Sequence, residues 1–127
     1  VGSEMCIRDR GKIDIFGLFQ DGNLIGEIHV AYVHSDERFA VRNKRVYLFA
    51  FRVHEDFQGK GYGQFLMNEV VSILSEKGYS EFTIGVEDDN EMAIHIYSKL
   101  GFTQLIGRIS EKYQGDSYEY GLYLRSL

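Results

Sequence analysis

The chain has 127 residues, of which 44% are hydrophobic and 26% charged, and this length and composition predict a single globular domain with a modest core. Its net charge of −5 argues against nucleic-acid binding, because domains that bind nucleic acid usually carry a basic patch. No apolar run approaches the length of a membrane span, and the single cysteine, Cys6, excludes an intrachain disulfide and gives no sign of secretion.

The first residues of the chain differ in character from the rest. The string VGSEMCIRDR, which ends at Arg10, lacks the long apolar stretch of a signal peptide, and the chain does not begin with methionine. We expect residues 1–12 to be a non-native or disordered leader. Residues 13–127 contain no linker, internal repeat or low-complexity segment, so they predict one domain.

Two strands and a loop are predicted next. Residues 13–20 and 24–33 are rich in β-forming side chains and flank the sequence Asp-Gly-Asn, a pattern typical of a β-hairpin. Residues 34–45 are polar and charged, which indicates a loop.

Residues 46–53 are apolar on both faces, which predicts a strand in the middle of a covered sheet. Strict alternation places Val46, Leu48 and Ala50 on one face. It places the remaining large side chains on the other face: Tyr47, Phe49, Phe51 and Val53.

Two helices follow, with a strand between them. Apolar residues recur at helical spacing from the end of a glycine-rich turn to about Lys77, and Gly78 suits the position that ends a helix. Residues 81–87 alternate as a strand does. Asn90 then suits the N-cap of a second helix that ends at Gly101.

The chain closes with two more predicted strands, residues 102–109 and 117–125, separated by the polar stretch 110–116. The order is then β-β-β-α-β-α-β-β, which predicts an α/β layer structure with a mixed sheet. Because strand–helix–strand crossovers are right-handed, the two strands of that unit are expected to run parallel.

The glycine-rich turn between the central strand and the first helix predicts an anion site. The unpaired N–H groups and the dipole of a helix N-terminus favour phosphate there, and glycines allow close approach. The turn lacks the third glycine of the dinucleotide fingerprint, where Gln64 stands, and the chain has no P-loop string. It matches [Q/R]-x-x-G-x-[G/A] as Gln58-Gly59-Lys60-Gly61-Tyr62-Gly63.

A second segment has the form N-x-x-A-x-x-x-Y-x-x-x-G-F, filled by Asn90, Ala93, Tyr97, Gly101 and Phe102. With both motifs in this order, residues 13–127 resemble the GNAT superfamily of acetyl-CoA-dependent N-acetyltransferases. The resemblance implies a mixed, largely antiparallel sheet with helices on both faces.

Two features depart from that family pattern. Glu55 stands where many relatives have a proline, which would only stiffen the turn. The family also usually begins with a strand and two helices, which form one wall of the acceptor site. The chain is therefore expected to be N-terminally truncated and weak in turnover.

The resemblance implies roles for residues on both sides of the turn. Backbone N–H groups of Gln58, Gly59, Lys60, Gly61, Tyr62 and Gly63 would bind the cofactor pyrophosphate, with Lys60 either adding a cation or remaining a solvated surface residue. Phe51 and Val53 end the central strand, whose backbone would pair with the pantetheine arm where the next strand splays away. The Val53 N–H would polarise the thioester carbonyl.

Two further residues each have two interpretations. Tyr97 is either a core aromatic or the acid that donates a proton to the leaving CoA thiolate. Asn90 is a helix cap, to which the resemblance adds a cofactor contact.

The general base is left open among five residues that are each ordinary surface residues otherwise: Glu27, His29, His54, Glu55 and Glu87.

The function that the resemblance implies is a cytoplasmic N-acetyltransferase that moves an acetyl group from acetyl-CoA to a primary amine. Direct transfer is expected, because no cysteine lies near the motifs. The alternative is a non-catalytic acyl-CoA-binding or sensing domain, or an inactive fragment. The acceptor is a small molecule or peptide that the sequence does not name, a homodimer is left open, and no metal, nucleic-acid or membrane partner is expected.

Overall fold

The computed structural model describes residues 13–127 and, for its backbone, the strand Ser3–Asp9. The strands are β1 (Ser3–Asp9), β2 (Ile13–Gln20), β3 (Asn23–Ala31), β4 (Arg45–Val53), β5 (Glu81–Glu87), β6 (Gln104–Tyr113) and β7 (Asp116–Ser126). The helices are α1 (Tyr62–Glu76) and α2 (Glu91–Lys99), with a 3₁₀ turn at Glu55–Phe57. The strands form one sheet in the order β1-β2-β3-β4-β5-β7-β6.

The predicted hairpin is confirmed in position, with a turn of two residues rather than three. Asp21 and Gly22 have φ angles of 52° and 80°. The residues on either side of them, Gln20 and Asn23, are paired across β2 and β3. A two-residue turn with both φ angles positive matches the right-handed twist of the strands that it joins.

Strand β1 lies inside the segment that was predicted to be a leader. It pairs antiparallel with β2, with Met5 opposite Leu18, at the edge of the sheet. The sequence-based order of elements omitted this strand because an edge strand needs only backbone pairing on one side and no apolar alternation. Whether residues 1–12 are native to the protein stays a prediction.

The core lies between the sheet and two helices on one of its faces, called here the helix face. Parallel strands β4 and β5 are neighbours joined by α1, and α2 leads from β5 toward β6 in the same direction across the sheet. Right-handed connections in one direction put both helices on one face. Both contribute to one apolar cluster, in which α1 buries Leu66, Met67, Val70, Val71 and Leu74, and α2 adds Ala93, Ile94 and Tyr97.

The mixed, largely antiparallel sheet of the predicted fold class is confirmed. One detail differs, because the two helices of the described residues share a face, whereas helices had been expected on both. The opposite face, called here the far face, has a smaller cluster around Phe39, Ile109 and Leu122. The loop between β3 and β4 brings Phe39 onto that face.

Strands β6 and β7 are longer than predicted. The stretch 110–116 had been interpreted as a loop because it is polar, yet β6 continues to Tyr113 and β7 starts at Asp116. The turn between them is Gln114-Gly115, with φ angles of 51° and 85°. Polar residues can continue a ladder where both faces meet solvent, so composition alone misplaced this boundary. No helix among the described residues is long and apolar enough to cross a membrane.

Thr83 ties the loop of the far face to the sheet. Its side chain is fully buried, and its hydroxyl donates to the Phe39 carbonyl oxygen at 2.7 Å. We expect Thr83→Val to lower the free energy of unfolding by about 1–3 kcal/mol, because the carbonyl would be left buried without a donor. Urea denaturation measures this.

Two matched variants test the cause of that loss. Thr83→Ser keeps the hydroxyl and should lose only about 1 kcal/mol for the missing methyl group. Thr103→Val, at an exposed position, should change stability by less than about 0.5 kcal/mol. Equal losses in Thr83→Val and Thr83→Ser would contradict the role of the hydrogen bond.

Candidate active site

The sheet opens between β4 and β5, next to the glycine-rich turn. Pairing of these parallel strands ends at Leu48 opposite Ile84. Strand β4 nevertheless stays paired with β3 as far as Val53, and β5 stays paired with β7 as far as Glu87. The two strands therefore diverge beyond Leu48 and leave a gap, called here the notch. The expectation that the next strand splays away is confirmed.

A bulge in β4 turns its last residues toward the helices. The β3–β4 register shifts between Glu27 and His29, and Ala50 on β4 has a φ angle of 51°. An extra residue in one strand reverses the side-chain alternation beyond it. Phe51 accordingly packs with the core cluster of the helix face, and a Cβ atom built on Gly63 of α1 would lie 3.5 Å from its ring.

This bulge corrects the strict alternation expected for residues 46–53. Tyr47 packs with the far-face cluster, and Phe49 stacks on Tyr47 at 5.4 Å between ring centroids. Phe51 and Val53 had been assigned to the same face as these two rings. They lie instead toward α1 and α2, where they form part of a cleft.

The backbone at the end of β4 faces the notch. The His54 N–H donates to the Ile25 carbonyl oxygen on β3 at 2.7 Å. Because neighbouring residues of a strand direct their backbone groups to opposite edges, the N–H and C=O of Val53 point away from β3. Consistent with this direction, the Val53 carbonyl accepts a hydrogen bond from Gln58 Nε2 at 2.9 Å.

The glycine-rich turn gives α1 an open N-terminus. Gly59 and Gly61 have φ angles of 76° and 87°, and Gly61 is the N-cap without any side-chain cap among the described residues. The first N–H that bonds back into the helix is that of Phe65, to the Gly61 carbonyl. The Gln58 N–H donates to the Glu55 carbonyl oxygen at 3.4 Å, whereas no backbone hydrogen bond among the described residues uses the N–H groups of residues 59–64. These groups are left for an external acceptor, and the helix dipole favours an anion there.

The notch, the turn and α2 together enclose a cleft of about 540 Å³. Its walls come from β4, from the turn with the start of α1, and from α2. The lining residues are Phe51, Arg52, Val53, Phe57, Gln58, Gly59, Gly61, Gly63, Gln64, Ala93, Ile96 and Tyr97. A Cβ atom built on Gly59 or Gly61 would have no other atom within 4 Å, so the space beside the turn is open.

Seven of the predicted site residues thus line one cleft, and three do not. Lys60 lies over the Phe57 ring, with its Nζ atom 5.8 Å from the ring centroid. The Tyr62 hydroxyl donates to Gln20 Oε1 at 3.2 Å, and the Asn90 Oδ1 accepts from the Ala93 N–H at 3.1 Å as a helix cap. The cofactor contacts proposed for Lys60, Tyr62 and Asn90 stay predictions.

Several lining residues were not singled out from the sequence. Arg52 stands between the two predicted residues of β4, and Phe57 stands just before the turn. The sequence could have indicated both only through their closeness to predicted site residues. Ile96 stands at the apolar helical spacing of α2 but is 46% exposed. It is exposed because it faces the cleft, which a helical repeat alone does not reveal.

Comparison with known proteins agrees with this geometry. The family model described as Acetyltransferase (GNAT) family matches residues 3–102. The chain belongs to the GNAT acetyltransferase family. The streptothricin acetyltransferase of Streptomyces lavendulae is 31% identical over 106 residues, which are 82% of this chain and 52% of that enzyme. The chain spans about half the length of that relative.

Two further comparisons support the same assignment. The spermine/spermidine N(1)-acetyltransferase of Bacillus subtilis is 27% identical over 79% of this chain and 68% of its own length. A GNAT family acetyltransferase from Elizabethkingia anophelis, solved with acetyl-CoA bound, superposes with a TM-score of 0.76 over 99% of both chains. Its sequence identity is 14%, so this likeness shows the GNAT fold alone.

Tyr97 meets both interpretations that the sequence left open. Its ring lies 6.1 Å from that of Phe51 and 6.2 Å from that of Phe102, between centroids, and it also lines the cleft. Its hydroxyl has no hydrogen-bond partner among the described residues. Burial raises the pKa of Tyr97 above its ordinary value.

The five residues considered as general base separate into two groups. Glu27 and His29 lie together on the far face, with Glu27 Oε1 3.6 Å from His29 Nε2. His54 is exposed, and its Nδ1 accepts from the Asp56 N–H at 3.3 Å. Glu55 and Glu87 are exposed.

Among the described residues, no group of three or more His, Cys, Asp or Glu side chains could hold a metal ion.

The raised pKa of Tyr97 predicts a pH dependence of stability. Its contribution is fully present below about pH 10, where Tyr97 is neutral in the folded and unfolded states. It is lost as the pH rises from there through the folded-state pKa, because the unfolded chain ionises first. The free energies of unfolding of wild type and Tyr97→Phe, measured by denaturation from pH 7 to 11, should differ by a constant amount up to about pH 9. Above pH 10 the wild type should lose stability relative to Tyr97→Phe. A constant difference over the whole range would contradict burial as the cause of the raised pKa.

Proposed function

We propose that this chain is an N-acetyltransferase that binds acetyl-CoA in the cleft and passes its acetyl group directly to a primary amine. The observation that carries the proposal is the meeting of the notch with the open N-terminus of α1 in one cleft. The names of the relatives, which refer to streptothricin, spermine and spermidine, favour an amine acceptor.

The residues around the cleft support this proposal, because they offer a different kind of contact to each part of the cofactor. The first turn of α1 offers backbone N–H groups to a pyrophosphate, and the positive φ angles of Gly59 and Gly61 keep side chains out of that space. The edge of β4 offers the backbone of Val53 to an extended arm with amide groups. Phe51, Ala93 and Ile96 supply the apolar wall.

The chemistry follows from the groups at the end of β4. An N–H of this edge that points into the notch would stabilise the charge that develops on the thioester oxygen when an amine attacks, an effect worth about 3–4 kcal/mol of barrier. Tyr97 would protonate the leaving sulfur. Burial raises the pKa of Tyr97, but the same apolar surroundings also disfavour a thiolate, so both changes oppose charge in the cleft.

Direct transfer is favoured over a covalent intermediate on a cysteine. The one cysteine of the chain, Cys6, belongs to β1, and strands β2 and β3 lie between β1 and β4. We extend the proposal to a cytoplasmic location, on the ground that a single cysteine gives none of the disulfides common in secreted domains.

Cofactor binding is the first test. Calorimetry with CoA and acetyl-CoA should show binding to the wild type. Gly61→Glu should abolish it, because the side chain would occupy the open space beside the turn and carry a like charge. The matched control is Gly115→Glu in the β6–β7 turn, where φ is 85° and the space is equally open. It should keep wild-type affinity, whereas a folded wild type that binds neither ligand at millimolar concentration would refute the proposal.

The role of Tyr97 is the second test. Tyr97→Phe keeps the ring that packs against Phe51 and removes the proton, so we expect turnover to fall at least tenfold with little change in cofactor affinity. Thiol release measures turnover, and calorimetry measures affinity. Full activity of Tyr97→Phe would make Tyr97 a packing residue. Binding of acetyl-CoA without transfer by the wild type, across a broad set of amines, would favour the alternative of an acyl-CoA-binding domain.

A further inference from the structure

A glutamate and a histidine lie two residues apart on the far face of β3, one strand away from the notch. Glu27 and His29 are on β3, where their partners on β4 are Arg52 and Phe49. The His29 ring meets the Phe49 ring edge-on, with 5.3 Å between centroids. Phe49 immediately follows Leu48, where β4 leaves β5, so β4 alone stands between this pair and the opening of the sheet.

Glu27 makes hydrogen bonds within the protein, whereas the ring nitrogens of His29 make none among the described residues. Glu27 Oε1 accepts from Arg52 Nε at 2.6 Å and also lies 2.6 Å from Arg52 Nη2. His29 Nε2 is buried 3.6 Å from the same oxygen, without a hydrogen-bond partner. The side chains of Glu27 and His29 are 18% and 21% exposed. No hydrogen bond within the described residues engages His29 Nδ1, the ring nitrogen that does not face Glu27.

Arg52 links this pair to the cleft. Its side chain bonds to Glu27 on the far face, yet the residue also lines the cleft on the helix face. Beyond Leu48 and Ile84, no pairing of β4 with β5 separates the two faces of the sheet. A thioester bound along the cleft would fill the notch from the helix face. An amine that attacks the carbonyl carbon would then have to approach from the far face, where Glu27 and His29 lie.

We infer that His29 is the general base of the reaction and that Glu27 is its positioning residue, an inference that rests on the proposed function. His29 Nδ1 takes a proton from the acceptor ammonium, and the freed lone pair of the amine forms the C–N bond with the thioester carbon. The C–S bond breaks, and the sulfur keeps its electron pair and takes the proton of Tyr97. The nitrogen that now carries the acetyl group gives its second proton through water to the Tyr97 phenolate, and His29 releases the first proton to water. A neutral amide and a neutral thiol leave, and no net charge is left on the protein.

The charges around His29 suit this step. Glu27 beside Nε2 favours the imidazolium that forms, while Arg52 on the same carboxylate opposes it in part. Strand β2 presents Ile15 opposite His29 and adds no titratable group there. Histidine changes its protonation near neutral pH, which suits a base that must both take and release a proton.

The test separates a base from a residue that only packs. Thiol release is measured with ethylamine and with 2,2,2-trifluoroethylamine, whose fluorines leave it largely neutral at pH 7. His29→Gln should lower kcat/KM for ethylamine about a hundredfold or more, since a base contributes about that factor. For trifluoroethylamine, which needs no base, the loss should stay below about tenfold. Calorimetric affinity for CoA should be unchanged in this variant, which also reports that it folds.

Two more variants complete the experiment. His95→Gln, at an exposed position of α2, is the matched control and should retain wild-type activity toward both amines. Glu27→Gln should lower kcat/KM for ethylamine at least tenfold and for trifluoroethylamine by less than about threefold, because it removes the negative charge beside an imidazolium that forms only with the protonated amine. Equal losses for both amines would give Glu27 a purely structural role.

Three results would overturn the inference. His29→Gln with wild-type turnover of ethylamine excludes a base at this position. Equal losses for both amines would show that His29 orients or packs rather than takes a proton. In both cases transfer by the wild type would leave the proposed function intact. A wild type that binds acetyl-CoA and transfers to no amine would instead remove the proposed function and, with it, this inference.

Discussion

Beyond Leu48 and Ile84, strands β4 and β5 no longer pair, although each keeps its other neighbour in the sheet. Backbone N–H and C=O groups that are withdrawn from water without a partner cost about as much as a lost hydrogen bond. One such group, the Val53 carbonyl, is satisfied by the side chain of Gln58. The remaining N–H and C=O groups on this edge, and the N–H groups of the open first turn of α1, can form hydrogen bonds with a ligand. The cleft is thus built from backbone atoms that the fold itself leaves unpaired.

The bulge at Ala50 determines which side chains reach that cleft. A non-glycine residue with φ of 51° costs about 1–2 kcal/mol of conformational free energy. In return, the bulge puts Tyr47 and Phe49 on the far face and Phe51 on the helix face, within reach of Tyr97. Without it, all three aromatic rings of β4 would share one face, and the cleft would lose the wall that Phe51 provides. Strain of this kind is commonly retained where it shapes a functional site.

Local chemical signals in the sequence predicted much of the structure. The Asp21–Gly22 turn, the Asn90 cap and the strand Glu81–Glu87 each depend on residues within a few positions of one another, and each was predicted where it occurs. The two motifs contain five of the seven lining residues named above, because glycine and tyrosine at those spacings are tied to one backbone path. The other two, Phe51 and Val53, followed from the resemblance to the family. The local features are predictable because neighbouring residues in the sequence determine their backbone conformation.

What could not be predicted depends on contacts between distant segments. The register shift that moves Phe51 to the other face arises in the pairing of β3 with β4, and strict alternation within one strand does not contain it. For the same reason Glu27 and His29 were two unranked residues among five, until their pairing with Arg52 and Phe49 placed them one strand away from the notch. The edge strand β1 and the extended β6–β7 hairpin were missed because backbone pairing, not an apolar pattern, supports them.

Two electrostatic effects act on the substrates: the net charge of the chain acts at long range, and the N-terminus of α1 acts locally. A net charge of −5 repels an anionic cofactor at a distance, so its phosphates must be held by the backbone N–H groups and the dipole at the start of α1, which act over one helical turn. The same net charge attracts an ammonium ion to the protein, although salt screens this attraction beyond about 8 Å. A base is then needed, because the acceptor that such a charge attracts arrives protonated. Glu27, whose carboxylate also pairs with Arg52, lies beside His29 on the far face, away from the open first turn of α1 that would hold the cofactor phosphates.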